Sequence, residues 1–134
     1  MDLKERNRQV IEQIRAGGEI DGMHRDRLLL LTTTGARTGR EHTTPMMFVR
    51  AGERLLVIAA AAGAPAHPDW YHNLVANPAV TVEIGQERYT ATATSLMGED
   101  YTREWEKIKA QHTFFGGYEE KVDRTIPVVE LVRR

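Results

Sequence analysis

Residues 80–96, VTVEIGQERYTATATSL, alternate apolar and polar side chains on both sides of Gly85-Gln86. A period of two puts one face of each run in a core and the other in water, and a glycine-containing turn pair folds the runs into an antiparallel hairpin. The rest of the chain has to complete that sheet. RLLLLTTT (27–34) is a continuous apolar run with threonines and suits a strand buried on both faces. TTPMMFVR (43–50) and RLLVIAA (54–60) read as strands around a turn at Ala51-Gly52-Glu53, making a meander with 27–34, and IPVVELV (126–132) is a last strand. Leu3, Val10, Ile11 and Ile14 share one face of an N-terminal amphipathic helix that Gly17-Gly18 ends. A second helix is predicted over 68–77, with Pro68 in its first turn and Asn77-Pro78 stopping it. Helical spacing returns over 99–111, where Tyr101, Trp105 and Ile108 line up, and a shorter helix over 118–123. Six or so antiparallel strands with short helices between hairpins predict a mainly β fold with flanking helices. The expectation is one small antiparallel barrel over residues 1–134, with 1–18 as its N-terminal helix.

Eighteen Lys plus Arg against nineteen Asp plus Glu give a formal net charge of −1, so no bulk attraction to nucleic acid or anionic lipid is expected. An anion site in such a chain has to be local. Cysteine is absent, which excludes disulfides, thiolate metal sites and cysteine nucleophiles. The longest apolar stretch, Leu55 to Ala66, is too short to span a bilayer, and the mixed charges of MDLKERNRQVIEQI are no secretory signal. A soluble cytoplasmic protein is expected, any membrane association being confined to the N-terminal helix. Oligomeric state is not written in these residues.

TTTGARTGREHTTP (32–45) lacks the third glycine of a dinucleotide fingerprint and the Gly-Lys-Ser/Thr ending of a phosphate loop, and a strand follows where both need a helix. Two readings remain. One is a solvated hairpin turn; the other is an anion grip, with Arg37, Arg40 and His42 as donors, threonine hydroxyls beside them and glycines allowing close backbone approach. AAAAGAPAHPDW (59–70) leaves the end of a strand almost without side chains, either for close packing or for a flat ligand, beside a helix start that presents free N–H groups. The histidines at 24, 42, 67, 72 and 112 show no metal pattern, so no metal is expected. Ser95 is the only serine and no nucleophile elbow exists, so hard chemistry would fall to a bound cofactor.

LLLTTTGARTGREHTTPM, AAGAPAHPDWYHNLVANPAVTVEI and DRTIPVVEL, in this order and spacing, resemble the deazaflavin-dependent nitroreductase family, from about Leu28 to Leu131. Members use reduced coenzyme F-420, an 8-hydroxy-5-deazaflavin, as hydride donor, and fold as split β-barrels related to flavin mononucleotide-binding proteins. By position, the resemblance implies that Ala36, Arg37 and Thr38 lie at the cofactor phosphate. It places His42 where relatives carry Arg, followed by Thr43, Thr44, Pro45, Met46 and Met47 along the strand that lines the deazaflavin. Ile58, Ala59, Ala60 and Ala61 would lie against the cofactor, with Asp69, Trp70 and Asn73 on the helix that closes the site. Met47, Ala60, Phe115 and Tyr118 would form the substrate pocket, Tyr118 being the candidate catalytic proton donor.

The chain departs from the pattern at Ala60-Ala61, where relatives often have Ser-Lys, and at Phe115, where another tyrosine is common. Arg40 is placed to compensate for the missing cation. These changes leave quinones, enones and lactones beside nitro compounds as electron-poor acceptors. The leading expectation is therefore a deazaflavin-dependent reductase with a small-molecule substrate. Two alternatives are a split-barrel protein that binds a lipid or other apolar ligand, and a flavin mononucleotide-dependent reductase.

Overall fold

The computed structural model describes residues 3–17 and 27–134. Gly18, expected to end the first helix, and His24 lie outside the described residues. Seven strands make one sheet: β1 Leu28–Thr34, β2 Glu41–Met47, β3 Val49–Ala51, β4 Arg54–Ile58, β5 Ala79–Ile84, β6 Glu87–Ser95 and β7 Val128–Arg133. Among the described residues four α-helices accompany them: α1 Leu3–Ala16, α2 Asp69–Ala76, α3 Gly98–Gln111 and α4 Phe114–Lys121. Neighbouring strands run in the order β2-β1-β5-β6-β7-β4-β3, and all pairings are antiparallel.

That order corrects the expected meander. The stretch 43–50 is two strands, broken at Phe48, and its halves lie at opposite ends of the sheet. Phe48 N–H still bonds the carbonyl of Arg27 at 3.1 Å, after which the chain crosses to pair with β4. The covalent step from β2 to β3 draws the sheet's two ends together, and β2 approaches β4. The sheet therefore curls into the split barrel. Pro45 is tolerated because β2 is an end strand, where a missing N–H breaks no ladder.

Side-chain alternation sorts two cores. Leu29, Leu31, Leu55, Val57, Val80, Val82, Ala91, Ala93, Val129 and Leu131 point into the barrel, which Leu74 of α2 plugs. Leu56 and Val128, on the opposite faces of β4 and β7, join Trp105, Ile108 and Phe115 beneath α3 and α4. β5 and β6 bury alternate side chains and leave the others wholly or partly open, as their alternation predicts. β1 is buried over Leu29–Thr33. Its outward Leu30 lies opposite Glu83, the carboxylate that Arg15 of α1 grips at 2.9 and 3.1 Å. The buried Val10 turns the apolar face of α1 to the same barrel. No helix among the described residues is long and apolar enough to cross a membrane.

The fourth helix begins at Phe114, four residues before the start expected from sequence, despite Gly116-Gly117. Tertiary anchoring outweighs the weak helix propensity of glycine: Phe115 is buried, and Glu119 accepts hydrogen bonds from the Trp105 indole and, at 2.9 Å, from Lys109. Pro68 caps α2 in an extended conformation instead of entering its first turn.

Candidate functional site

The loop between β1 and β2 is closed on itself. Gly35 N–H donates to the Arg40 carbonyl at 2.7 Å, Gly39 N–H to the Gly35 carbonyl at 3.0 Å, and Arg40 N–H to the Thr38 hydroxyl at 3.2 Å. Gly39 sits at φ +70, which the loop needs to reverse. A Cβ on Gly35 would lie 2.7 Å from the Thr38 hydroxyl and 3.1 Å from His42 Nε2, so both polar groups close over a bare backbone.

Helix α2 holds this loop from outside. Asn73 Oδ1 accepts from the Ala36 N–H at 3.0 Å while its Nδ2 donates to the buried Thr33 hydroxyl at 3.2 Å. One turn on, Asn77 Nδ2 reaches the Thr34 carbonyl at 3.3 Å. These bonds put the first turn of α2, which no side chain caps, beside Arg37 and Thr38. Between them opens a cleft of about 1040 Å³ that also takes in His42, Thr43, Thr44, Asp69 and Trp70. The Thr43 hydroxyl is tied to Thr32 at 2.8 Å. Asn7, Arg8 and Ile11 of α1 form the remaining wall, with Glu41 and His72.

Among the described residues, the guanidinium groups of Arg37 and Arg40 make no ion pair, whereas Arg8 is paired with Glu5. A charged hydrogen bond is worth about 1.5–3 kcal/mol, more than a neutral one, so the exposed Arg37 is the strongest donor the cleft can offer an anion. With two hydroxyls, an imidazole and the uncapped N–H groups of α2, the donor set suits phosphate and carboxylate oxygens. These residues fit an acidic coenzyme. No group of three His, Asp or Glu able to hold a metal occurs among the described residues.

The expected site residues fall into two groups. Ala36, Arg37, Thr38, His42, Thr43, Thr44, Asp69, Trp70 and Asn73 meet at the cleft. Pro45, Met46, Met47, Ile58, Ala59, Ala60, Ala61, Phe115 and Tyr118 are not among its walls. Met46 packs on the barrel core and Met47 on the core beneath α3 and α4, since neighbours on a strand face opposite ways. Ala60, Phe115 and Tyr118 share the second core; Phe115 is only 5% exposed, so its ring is packing there.

Arg124, a residue with no role legible in the sequence, anchors the Ala59–Ala61 part of the second group. Its guanidinium donates to the carbonyls of Ala59 at 3.1 Å, Ala60 at 2.8 Å and Ala64 at 3.1 Å, and to His67 Nδ1 at 2.9 Å. Arginine has no acceptor, so His67 carries its proton on Nε2. Burial and the neighbouring charges of Arg124 and His72 hold the His67 pKa below its ordinary value. The clamp encloses a left-handed turn, Ala61–Gly63, with φ 49, 52 and 81. For alanine that conformation costs about 1–2 kcal/mol per residue, which charged hydrogen bonds of the size given above offset.

The sequence profile of the F420H(2)-dependent quinone reductase family matches residues 4–132. The chain belongs to this family. An F420H(2)-dependent quinone reductase of Mycobacterium tuberculosis is 39% identical over 109 residues, covering 79% of this chain and 73% of its own. Among solved structures, an F420-H2 dependent reductase, FDR-A, superposes with a TM-score of 0.70 at 34% identity, covering 82% of this chain and 99% of its own. A domain-swapped dimer superposes at 0.73 with 35% identity, covering 92% of this chain and 95% of its own. A pyridoxamine 5′-phosphate oxidase-like protein of Listeria innocua, 17% identical with a TM-score of 0.56 over 99% of this chain and 94% of its own, shares the fold alone. The protein is an oxidoreductase whose cofactor is coenzyme F420. Family membership decides for the deazaflavin reductase over the lipid-binding and flavin alternatives.

Proposed function

We propose that the cleft holds the anionic part of coenzyme F420 and that its ring end runs along β2 towards the Ala59–Ala61 segment, where a quinone is reduced. The observation that carries this reading is the Asn73 bridge, which brings Arg37, Thr38 and the uncapped start of α2 to one cleft. Arg37 binds phosphate through its guanidinium, with Thr38, Thr44 and His42 completing the donor set. Trp70 packs partly against the barrel core and presents the rest of its ring to the cleft, so it excludes water from one side.

Bound coenzyme supplies the hydride; the protein positions donor and acceptor and excludes solvent. We assign the second proton to Tyr118, which is partly buried against Phe115 and beside Gly63, with solvent as the other source. The small, half-buried Ala61 side chain leaves room for a flat acceptor. Titrating the protein with oxidised coenzyme F420, flavin mononucleotide and nicotinamide dinucleotides tests the cofactor site. Saturable binding of the first alone is expected, and tight nicotinamide binding without it would overturn the reading.

A further inference from the structure

Three observations meet at the end of β4. Ala61 and Ala62 hold left-handed backbone, at φ 49 and 52, which alanine keeps only where its surroundings impose it. Arg124 is that surrounding constraint, through the carbonyls of Ala59, Ala60 and Ala64. Among the described residues, no acceptor meets the N–H groups of Ala60, Ala61 or Ala62, although Ala60 is only 4% exposed. Buried N–H groups are nearly always paired, so the Ala60 N–H calls for a partner from outside the chain, while those of the half-buried Ala61 and the exposed Ala62 stand open to the same ligand.

The backbone aims these donors together. Ala60 is right-handed, at φ −83 and ψ −28, and Ala61 is left-handed. That succession turns consecutive N–H groups into one concavity that receives anionic oxygen. Within a peptide unit the carbonyl and N–H point opposite ways. Holding the Ala59 and Ala60 carbonyls on a guanidinium therefore turns the Ala60 and Ala61 N–H groups away from it and polarises them as donors. The turn is seated on α4: a Cβ on Gly63 would lie 3.4 Å from the Tyr118 ring and 3.3 Å from the Lys121 side chain.

We propose that Arg124 is a positioning residue for the redox site, holding the N–H groups of Ala60, Ala61 and Ala62 as a donor set for a carbonyl oxygen on a conjugated ring. The inference rests on the reading that ring chemistry takes place against this segment. Both the coenzyme ring and the quinone carry such oxygens. A quinone gains one hydride, two electrons and a proton, from the reduced coenzyme, and a second proton from Tyr118 or solvent, to become the hydroquinone. Its oxygen is negative between the two events, which is when preorganised donors act.

Amide resonances of the wild-type protein test this without turnover. Titration with oxidised coenzyme alone, and then with a quinone in the presence of oxidised coenzyme, is expected to move the Ala60, Ala61 and Ala62 amide protons downfield. Movement in the first arm assigns the oxygen to the coenzyme, and movement only in the second assigns it to the quinone. Silence of all three in both arms, with binding seen elsewhere, overturns the proposal. Arg124→Gln is expected to lower kcat by about 10²-fold with the quinone KM changed less than about threefold, and Arg124→Lys to recover part of the loss. A folded Arg124→Gln protein with wild-type kcat also overturns it; if that variant does not fold, the wild-type titration decides. Failure of the wild-type protein to reduce quinone defeats the functional reading instead, whereas reduction with silent amides defeats this inference alone.

Discussion

The side-chain oxygen of Asn73 receives the backbone N–H of Ala36 at 3.0 Å, joining residues 37 positions apart across the mouth of the cleft. The same side chain donates to Thr33, so one amide fixes both ends of the threonine-glycine turn. Asn73→Ala removes both bonds and leaves the buried Thr33 hydroxyl without this partner. A loss of about 1–3 kcal/mol in stability is expected, with at least a tenfold weaker coenzyme dissociation constant because the loop is no longer held against α2. Thermal unfolding and coenzyme titration check the two effects separately.

Arg37→Ala is expected to leave stability nearly unchanged, since the side chain is exposed and makes no ion pair among the described residues. Coenzyme binding should weaken by about 1.5–3 kcal/mol, and its dependence on salt should flatten. Titration at two ionic strengths measures both. An unchanged dissociation constant would return this loop to a solvated turn.

His67 sets a pH dependence. Its folded pKa lies below the ordinary value of 6.5, because burial and the charges of Arg124 and His72 oppose protonation. Between the folded and unfolded values the unfolded chain binds more protons, so this contribution to stability is complete above about 6.5 and is lost as pH falls through the folded pKa. Protonation also removes the Nδ1 acceptor that Arg124 uses. The thermal midpoint of wild type is expected to fall on acidification below about 6.5, and that part of the fall should be missing in His67→Gln. Parallel curves for the two proteins would show that the Arg124–His67 contact has no weight.

Tyr118→Phe keeps the ring packed on Phe115 and removes only the hydroxyl. Coenzyme affinity should hold, while turnover falls by about 10²-fold if the hydroxyl delivers the proton and far less if solvent does. Single-turnover rates at several pH values distinguish these outcomes.

Most of the barrel was legible because alternation is a local signal: β5, β6 and the doubly buried β1 follow from their own side chains. The crossing at Phe48 was not, since TTPMMFVR reads as one strand and only the closure of the sheet forces its halves to opposite ends. The cleft was legible as far as local donors and family likeness reach, through Arg37, Thr38, His42 and Asn73. The helix pattern of α1 shows which of its faces is apolar but not where that face docks, so Asn7, Arg8 and Ile11 were missed. Arg124 was missed for a related reason. Its partners are backbone carbonyls some 60 residues away, and no residue type marks a carbonyl. A run of alanines without side chains to hold it was the available clue.

Reduction of quinones by this chain, with coenzyme F420 bound at the β1–β2 loop, is open to direct measurement. Anaerobic stopped-flow mixing of the reduced coenzyme and protein with a soluble quinone, followed through the absorbance of the oxidised coenzyme, tests it most directly. Oxidation of one coenzyme per quinone is expected, saturable in quinone and faster than the same reaction in free solution. A rate no greater than that of the free reaction, at saturating coenzyme, would contradict it.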